Sequence, residues 1–394
     1  MAYKFYKIKD IGEVVSGTTP NTNNESYWNG NIKWITPAEL IDGHNWYLYN
    51  TTRKITEKAL KDCNLRMLQR KTILLTSRAP IGKVAIVGEE MCTNQGFKSI
   101  ICNPDYVNSE YLYFWLLSKK EYLNHLGRGA TFKEISKSIV ENIKVPLPSL
   151  ETQKKTIEIL KKSLYLIDKR KAQIEALDQL TQSVFLEMFG DPVQNSLGFK
   201  TEPLHELCVH IFGGGTPSKS NPEYYIGNIP WVTPKDMKDI VINDSIDHIN
   251  EDAIANSSAK LIPPNSLLMV IRSGILKKKL PIAINTREVT VNQDMKAFVV
   301  DKNKITVEYL LYFFEFYQKV LLNRVRSVTA DNLDFQQIKE ILVPVPAINK
   351  QKEFSNIFYK VLAEKNKCLQ QLNELENNFN SLMQRAFKGE LFSD

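Results

Sequence analysis

Long apolar runs and paired cysteines are scarce in this 394-residue chain. No stretch of 18 residues is free of charged side chains, which argues against a membrane-spanning helix. The opening residues, MAYKFYKIKD, lack the apolar core of a secretory signal. The five cysteines form no CxxC pair, as expected of reduced thiols in a cytoplasmic protein. Gly and Pro, 17 of each, are too few for a fibrous or linker-dominated chain.

Motifs for self-contained catalysis are also missing. The glycines in FGGGTPSK (212–219) do not have the spacing of a phosphate-binding loop. His205, Glu206 and His210 miss the HExxH spacing by one residue. The segments at 103–106 and 221–224 approach the Asn-Pro-Pro-Tyr of a DNA amino-methyltransferase but lack its second proline. The sequence therefore predicts a chain that is not an enzyme and that carries no cofactor or metal ion of its own.

What the chain does contain is a tandem repeat with an offset of 197 residues. Residues 17–37 align without gaps to residues 214–234, and 11 of the 21 positions are identical. Background residue frequencies would give about one or two identities. Further similar segments follow in the same order along both copies: 72–82 with 266–276, 93–98 with 291–296, 111–117 with 309–315, and 141–148 with 339–346.

Each copy begins with a mixed segment of short β-rich runs broken by Gly, Pro and Asn. Lys71–Leu75 and Val84–Val87 are predicted strands around a turn at Pro80–Gly82. Asn108–Leu126 is a predicted helix, capped by Asn108 or Ser109. VPLP (145–148) and VPVP (343–346) are interpreted as linkers that end the mixed segments, because proline excludes a helix there.

A long stretch without Gly or Pro follows each of these proline segments, from Glu151 to Phe189 and from Lys350 to Phe387. Apolar residues recur there in steps of three and four, which predicts coiled-coil helices, roughly 55–60 Å long. We expect the helices to pair antiparallel about a pseudo-two-fold axis, with the mixed domains at opposite ends of a rod; packing on a globular core is the alternative. Lys365 interrupts the second seam. The seam residues are Leu160, Leu164, Ile167, Ile174, Leu177 and Val184 in the first helix, and Phe358, Val361, Cys368, Leu372, Leu375, Phe379 and Leu382 in the second.

Basic and amide side chains at corresponding places in the two copies are candidate contacts to a polyanion. The net charge of +7 permits such a partner without requiring one. Arg can read guanine, Lys can neutralise phosphate, and Asn and Gln can pair with adenine; a surface or turn-forming role is the alternative for each. The candidates are Thr36, Arg78, Lys83, Asn94, Gln95 and Lys98 in the first copy, and Thr233, Arg272, Lys277, Lys278, Asn292, Gln293 and Lys296 in the second.

The two copies share a framework but differ in some of their loops. Trp34 and Trp231, each followed by an Ile/Val-Thr-Pro sequence, are expected to anchor the core rather than to stack on bases. Loops 38–56 and 235–250 differ between the copies, whereas the framework around them is shared. This is the pattern expected of two readers of different sequences on one scaffold, and the loops are expected to carry the specificity.

In its layout the chain resembles the specificity subunit of type I restriction-modification systems. The resemblance covers the whole chain and rests on the order and duplication of its motifs. These are the Thr-Pro…Trp-Ile/Val-Thr-Pro opening, the turns at Arg78 and Arg272, Asn-Gln at 94–95 and 292–293, the Val-Pro-Leu/Val-Pro segments followed by Gln-Lys, and QRAFKGEL at 384–391.

The resemblance implies a mixed α/β fold with a tandem duplication: target recognition domains at 1–148 and 191–346, and antiparallel spacer helices at 149–190 and 347–394. Each domain would read one half of a bipartite, asymmetric site in double-stranded DNA. The paired helices would set the gap and dock two methylation subunits. S-adenosylmethionine would belong to those subunits, and ATP with Mg to the restriction subunits. The alternatives are a stand-alone DNA adenine methyltransferase and a coiled-coil adaptor without a DNA role.

Overall fold

A computed structural model describes residues 3–40, 46–78, 80–129, 133–325 and 332–392. The chain folds into two compact units, the first made of Met1–Lys171 with Gln370–Asp394 and the second of Ala172–Leu369. Each unit contains one mixed α/β domain and a part of each of two long helices. None of the helices in the described ranges is long and apolar enough to span a membrane.

Short strands and small helices form the mixed domain of the first unit. In chain order the elements are β1 (Lys4–Lys7), α1 (Ile8–Ile11), β2 (Gly12–Ser16), β3 (Trp28–Ile35), β4 (Tyr47–Leu48), β5 (Arg53–Ile55), α2 (Glu57–Asp62), β6 (Ile73–Leu75), β7 (Val84–Val87), β8 (Cys92–Thr93), β9 (Lys98–Cys102), α3 (Ser109–Ser118), α4 (Lys120–Leu126), α5 (Lys137–Glu141), β10 (Lys144–Leu147) and the long helix α6 (Leu150–Phe189). The strands form two sheets, β2-β9-β6-β7-β4 and β5-β3-β8, with a separate β1-β10 pair.

The second unit repeats the strand order and the sheet topology of the first. Its elements are β11 (Thr201–Pro203), β12 (Cys208–Gly213), β13 (Ile229–Val232), β14 (Val241–Ile242), β15 (His248–Ile249), α7 (Glu251–Ala255), β16 (Leu267–Val270), β17 (Ile282–Asn285), β18 (Thr290–Val291), β19 (Met295–Val300), α8 (Val307–Val325), α9 (Phe335–Lys339), β20 (Leu342–Pro344) and the long helix α10 (Ile348–Lys388). Its sheets are β12-β19-β16-β17-β14 and β15-β13-β18, with a separate β11-β20 pair. The helices differ in two places, since a 3-10 turn stands where the first unit has α1, and the single helix α8 stands where it has α3 and α4.

Local sequence signals account for several of these elements. β6 and β7 pair antiparallel around the predicted turn. The side chain of Asn108 caps α3 by accepting a hydrogen bond from the Glu110 amide at 2.9 Å. The single helix predicted over 108–126 is wrong, because the backbone at Lys119 leaves the helical region (ψ 18°) and separates α3 from α4.

The interpretation of the two Val-Pro segments as linkers is also wrong. The first three residues of 145–148 belong to β10, and the first two of 343–346 belong to β20. Pro146 of β10 lies opposite Phe5 of β1, and Pro344 of β20 lies opposite Thr201 of β11. Each pair is an isolated two-stranded sheet, in which every strand is an edge. An edge strand tolerates proline because one side of its backbone needs no ladder hydrogen bond.

The long helices pack on the domain cores as well as on each other. In the first unit, Phe379 and Phe387 of α10 lie against Phe114 and Tyr111 of α3, with ring centroids 6.5 and 5.3 Å apart. Ile157, Leu160 and Ile167 of α6 join the same buried cluster. Mutual pairing and packing on a globular core, which the sequence posed as alternatives, therefore both occur.

Contacts within the second unit show that the two helices run antiparallel. Phe185 of α6 lies 5.3 Å from Phe354 of α10, and Lys365 of α10 forms a 2.6 Å ion pair with Asp178 of α6. Residue numbers therefore rise along α6 in the direction in which they fall along α10, as antiparallel helices require. The lysine that interrupts the apolar seam thus has a carboxylate partner on the facing helix.

Candidate nucleic-acid interface

A buried tryptophan anchors the same loop in both mixed domains. Trp34, 1% exposed, lies on β3, and its indole nitrogen donates to the Thr18 carbonyl at 3.1 Å. Trp231, 7% exposed, lies on β13 and donates to the Gly215 carbonyl at 2.9 Å. The prediction that these residues are core anchors is confirmed by their burial. The loop that each one holds begins a Thr-Pro sequence shared by the copies.

The exposed glutamines of the two Asn-Gln pairs bind that same loop. The Thr19 hydroxyl donates to the side-chain carbonyl of Gln95, and the Thr216 hydroxyl donates to that of Gln293. Both glutamines are exposed. An amide whose carbonyl is occupied in this way presents its NH₂ group in a defined direction.

The threonines after the tryptophans cap turns. The Thr36 amide and hydroxyl donate to the Glu39 carboxylate at 3.1 and 3.3 Å. The Thr233 amide and hydroxyl both donate to Asp236 at 2.8 Å. Sequence reasoning singled out the threonines and missed their acidic partners. The Thr-Pro-x-Glu/Asp pattern of a capping box would have identified them.

The asparagines of the Asn-Gln pairs stabilise turns. The Asn94 side-chain carbonyl accepts from the Gly96 amide at 2.9 Å. The Asn292 side chain accepts from the Asp294 amide and donates to the Asp294 carboxylate, both at 3.1 Å. These bonds hold the adjacent glutamines in place.

In the first unit, two of the three basic candidates share one carboxylate. The Arg78 Nε lies 3.0 Å from Glu134, and the Lys98 ammonium lies 3.3 Å from the other oxygen of the same group. The Arg78 side chain is 49% exposed, whereas that of Lys98 is 9% exposed. Lys83 is turned inward, and its ammonium donates to the Leu40 carbonyl at 2.6 Å. Of these three, Arg78 is the one available to a ligand.

The basic candidates of the second unit are more accessible. The Arg272 side chain is 60% exposed and lies 3.9 Å from the Asp294 carboxylate. Lys277 and Lys278 are exposed at the end of a short 3-10 turn. Lys296 lies 4.7 Å from the centroid of the Phe335 ring. Burial, and then the nearby Arg272 charge, lowers the pKa of Lys296.

The second mixed domain brings several of these residues to one cleft of about 730 Å³. Thr233, Asn292 and Gln293 line it, and Arg272 adjoins it through Asp294. Donors, acceptors, cations and two aromatic rings therefore line one cleft, an arrangement suited to binding. The other lining residues are Thr216, Lys219, Pro222, Tyr225, Trp231, Pro234, Lys235, Asp247 and Ser273. Within the described ranges no group of three His, Cys, Asp or Glu side chains could hold a metal ion.

Two charged residues beside the tryptophans were not among the sequence candidates. The guanidinium of Arg53 lies 4.0 Å from the Trp28 ring centroid, and Asp247 lines the cleft of the second domain. Both fall in the loops expected to carry specificity, 38–56 and 235–250. Of the first loop, residues 41–45 lie outside the described residues. The difference between the loops was the available signal, and it did not single out a position.

Comparison with known proteins gives a consistent family. Residues 2–177 and 197–377 match the model of the type I restriction modification DNA specificity domain. The type I restriction enzyme MjaIX specificity subunit of Methanocaldococcus jannaschii is 32% identical over 98% of this chain and 92% of the relative. The EcoR124I/EcoR124II specificity subunit of Escherichia coli is 30% identical over 66% of this chain and 64% of the relative.

Solved structures agree in fold. The type I restriction-modification S subunit from M. genitalium has a TM-score of 0.58 at 15% identity, covering 98% of this chain and 96% of that one. A chain from a structure of a type I R-M system has a TM-score of 0.63 at 18% identity, covering 99% and 98%. These likenesses support the predicted tandem of mixed domains and long helices.

The names of the relatives agree with the expectation of a specificity subunit that is not itself an enzyme. They favour neither a stand-alone methyltransferase nor a coiled-coil adaptor. The family model covers both copies of the repeat, and the Methanocaldococcus relative aligns over nearly the whole chain. This chain therefore belongs to the type I restriction-modification DNA specificity family.

Proposed function

We propose that each mixed domain, 1–148 and 191–346, reads one half of a bipartite, asymmetric site in double-stranded DNA. The observation that carries this proposal is that the two domains share the same structural framework but differ in their loops. The Thr19–Gln95 bond of the first domain recurs as Thr216–Gln293 in the second, whereas loops 38–56 and 235–250 differ. Two domains with the same framework and different loops would recognise two different DNA sequences. Groove contacts would supply the specificity and phosphate contacts the register.

The exposed candidates are proposed to touch DNA, and the buried or half-buried ones to position them. Arg78 and Arg272 suit guanine edges or phosphate, and their side chains are 49% and 60% exposed. Gln95 and Gln293 suit adenine edges, and Lys277 and Lys278 suit phosphate. The proposed positioning residues are Thr36, Lys83, Asn94, Lys98, Thr233, Asn292 and Lys296.

The long helices, within 149–190 and 347–394, are proposed to fix the gap between half-sites and to dock two methylation subunits. Both helices expose large apolar side chains, among them Leu166 at 52%, Leu180 at 46% and Leu369 at 42%. Apolar side chains exposed on an otherwise charged helix are candidate contacts for a partner protein. S-adenosylmethionine would be held by the methylation subunits, and ATP with Mg by restriction subunits, all in the cytoplasm.

The decisive experiment exchanges one domain. The chain, with residues 1–148 replaced by those of another family member, is expressed with its methylation subunit, and the methylated sites are read by genome-wide sequencing. One half-site is expected to change while the other half-site and the gap stay as in wild type. Exchange of residues 191–346 is the matched control and should change the opposite half. If either exchange alters both halves, the assignment of one domain to one half-site is wrong.

Two further measurements separate this function from the alternatives. Affinity of the purified complex for its site should fall steeply with salt, in proportion to the phosphates neutralised. The purified chain alone, given labelled S-adenosylmethionine and mixed DNA, should transfer no methyl group. Transfer without a partner would support the stand-alone methyltransferase, and salt-independent or absent DNA binding by the complex would support the adaptor.

Docking on the helices has its own test. Leu166→Glu is expected to lower the amount of methylation subunit that co-purifies with the chain, because it places a charge in the proposed apolar contact. Gln173→Glu, an exposed polar position of the same helix, is the control. Native mass spectrometry should give two methylation subunits per wild-type chain. Equal recovery with both variants would remove this surface from the proposed interface.

A further inference from the structure

Opposite charges occupy one matched position in the two mixed domains. In the first, Arg53 of β5 lies directly opposite Trp34 in the antiparallel ladder. In the second, the ladder runs from Ile229–Ile249 to Pro230–His248 and continues with the Trp231 amide donating to the Asp247 carbonyl at 3.0 Å. Asp247 is therefore the structural counterpart of Arg53.

The aromatic surroundings of this position are also matched. Trp28 lies edge-on to Trp34 with ring centroids 5.1 Å apart, and Tyr225, at the position corresponding to Trp28, lies edge-on to Trp231 at 5.6 Å. The Arg53 guanidinium sits 4.0 Å from the Trp28 centroid and 5.2 Å from that of Trp34. The stack holds the planar guanidinium in one orientation before any ligand arrives.

Both charged side chains are available to a ligand. Arg53 and Asp247 are exposed, and neither has an ion-pair partner in the part of the chain that the structure describes. Asp247 faces the 730 Å³ cleft, which Lys219 and Lys235 also line. The negative charge of Asp247 contributes, after burial, to a raised pKa of the Tyr225 hydroxyl, as expected of a carboxylate beside that ring.

The reversal of charge restricts what this position can face. A phosphate would attract Arg53 but repel Asp247, so a position that met the DNA backbone in both domains would not carry a carboxylate in one. Base edges in the major groove offer both kinds of partner. Guanine presents two acceptors, N7 and O6, to an arginine, and cytosine presents its N4 amine to a carboxylate.

We propose that Arg53 and Asp247 are specificity-determining residues at one shared base-reading position. Arg53 donates to a guanine in one half-site, and Asp247 accepts from the exocyclic amine of a cytosine in the other. The inference rests on the proposed reading of one half-site by each domain and names a residue that performs it in each. The nearby lysines of the second cleft then neutralise phosphates on either side of the base that Asp247 contacts.

The test measures discrimination one base pair at a time. The methylated motif of the wild-type complex is first read by genome-wide sequencing. Duplexes carrying every single base-pair change in that motif are then titrated with the full chain bound to its methylation subunit. Arg53→Ala should reduce discrimination about 5- to 150-fold at one G·C pair of one half-site only. Asp247→Ala should do the same at one pair of the other half-site.

The neighbouring residues of the same strands provide matched controls. Lys54→Ala removes the same charge as Arg53→Ala from a side chain on the opposite face of β5. His248→Ala is the control beside Asp247, because it truncates the next residue, at the start of β15, whose side chain lies on the opposite face. Both controls should leave the discrimination profile as in wild type. Arg53→Lys keeps the charge but loses the bidentate fork, and it should relax the same base pair even if Arg53→Ala folds poorly.

The outcomes separate this inference from the function on which it rests. Equal weakening for all duplexes, with a salt slope reduced by about one, would make Arg53 a phosphate contact and overturn the proposal. An unchanged profile would overturn it as well. Failure of the underlying function would instead show in the domain-exchange experiment, where replacement of residues 1–148 would alter both half-sites.

Discussion

Replacement of Gln153 tests how each long helix is fixed to its domain. Gln153 is fully buried in the first turn of α6. Its side-chain carbonyl accepts from the Asn108 amide at 2.8 Å. Its NH₂ group donates to the carbonyls of Tyr106 and Pro148 at 3.0 and 3.1 Å. One side chain thus joins the start of α6 to the residue that caps α3.

The expected loss of stability comes from three backbone groups, each of which would lose its hydrogen bond to Gln153 in the Gln153→Leu variant. The leucine is of similar volume, so the loss is one of hydrogen bonding rather than packing. At about 1 kcal/mol or more for each buried polar group, we expect the first unit to lose about 3 kcal/mol. For a unit of this size, that corresponds to a melting temperature lower by about 6–12 °C.

Calorimetry of the full chain measures the shift, and hydrogen exchange of the Asn108 amide locates it. Gln173→Leu, an exposed glutamine further along the same helix, is the matched control and should move the melting temperature by about 1 °C or less. Equal shifts for the two variants, or unchanged protection at Asn108, would refute the reasoning.

The second unit offers an independent repeat of this experiment. Gln351 is equally buried in the first turn of α10 and accepts from the Thr306 amide at 2.9 Å. It donates to the carbonyls of Lys304 and Pro346 at 3.2 and 2.8 Å. Gln351→Leu should therefore lower the stability of the second unit by a similar amount.

Further predictions concern the second unit. Phe185→Ala, at a fully buried ring, should cost about 3–5 kcal/mol in denaturant unfolding, whereas the partly exposed Leu186→Ala should cost much less; equal costs would contradict the packing described. Burial is the main cause of the raised pKa of Glu315. The native state therefore holds this proton more tightly than the unfolded chain, and stability falls as pH rises from the ordinary carboxyl pKa through the raised one. Glu315→Gln should raise the melting temperature more at pH 7 than at pH 4.5, and a gain independent of pH would contradict this. Asp178→Ala should cost about 1 kcal/mol or less, because half of this carboxylate is exposed, and the loss should shrink in high salt. An equal loss in low and high salt would show that the ion pair with Lys365 is not its source.

The long helices and the duplication could be predicted from sequence because their signals are local or repeated. The predicted stretch from Glu151 to Phe189 coincides with α6 to within one residue at its start. Absence of Gly and Pro and a regular apolar spacing suffice for such a helix. The Gln-Lys pairs were recognised as a shared motif. Two of the three bonds made by each glutamine reach a turn about 45 residues away in sequence, so they could not be foreseen.

The proline strands show the opposite case. β10 and β20 contain proline and are at most four residues long, so neither propensity nor alternation favours a strand. Their partners, β1 and β11, lie about 140 residues earlier in the chain. Pairing of this kind is set by the tertiary fold, which brings the start and the end of each mixed domain together.

The correspondence between Arg53 and Asp247 cannot be found by aligning the two copies for identical residues. Arg53 follows its tryptophan by 19 positions in the first copy, whereas Asp247 follows its tryptophan by 16 positions in the second. A gap-free alignment at the offset of 197 therefore places Asp247 opposite Asn50, and the reversal of charge disappears. Specificity requires the copies to differ, so the residues that set it are the ones that alignment treats as noise. The ladder register recovers the correspondence, because the backbone of each strand is held against the same tryptophan whatever the length of the loop between them.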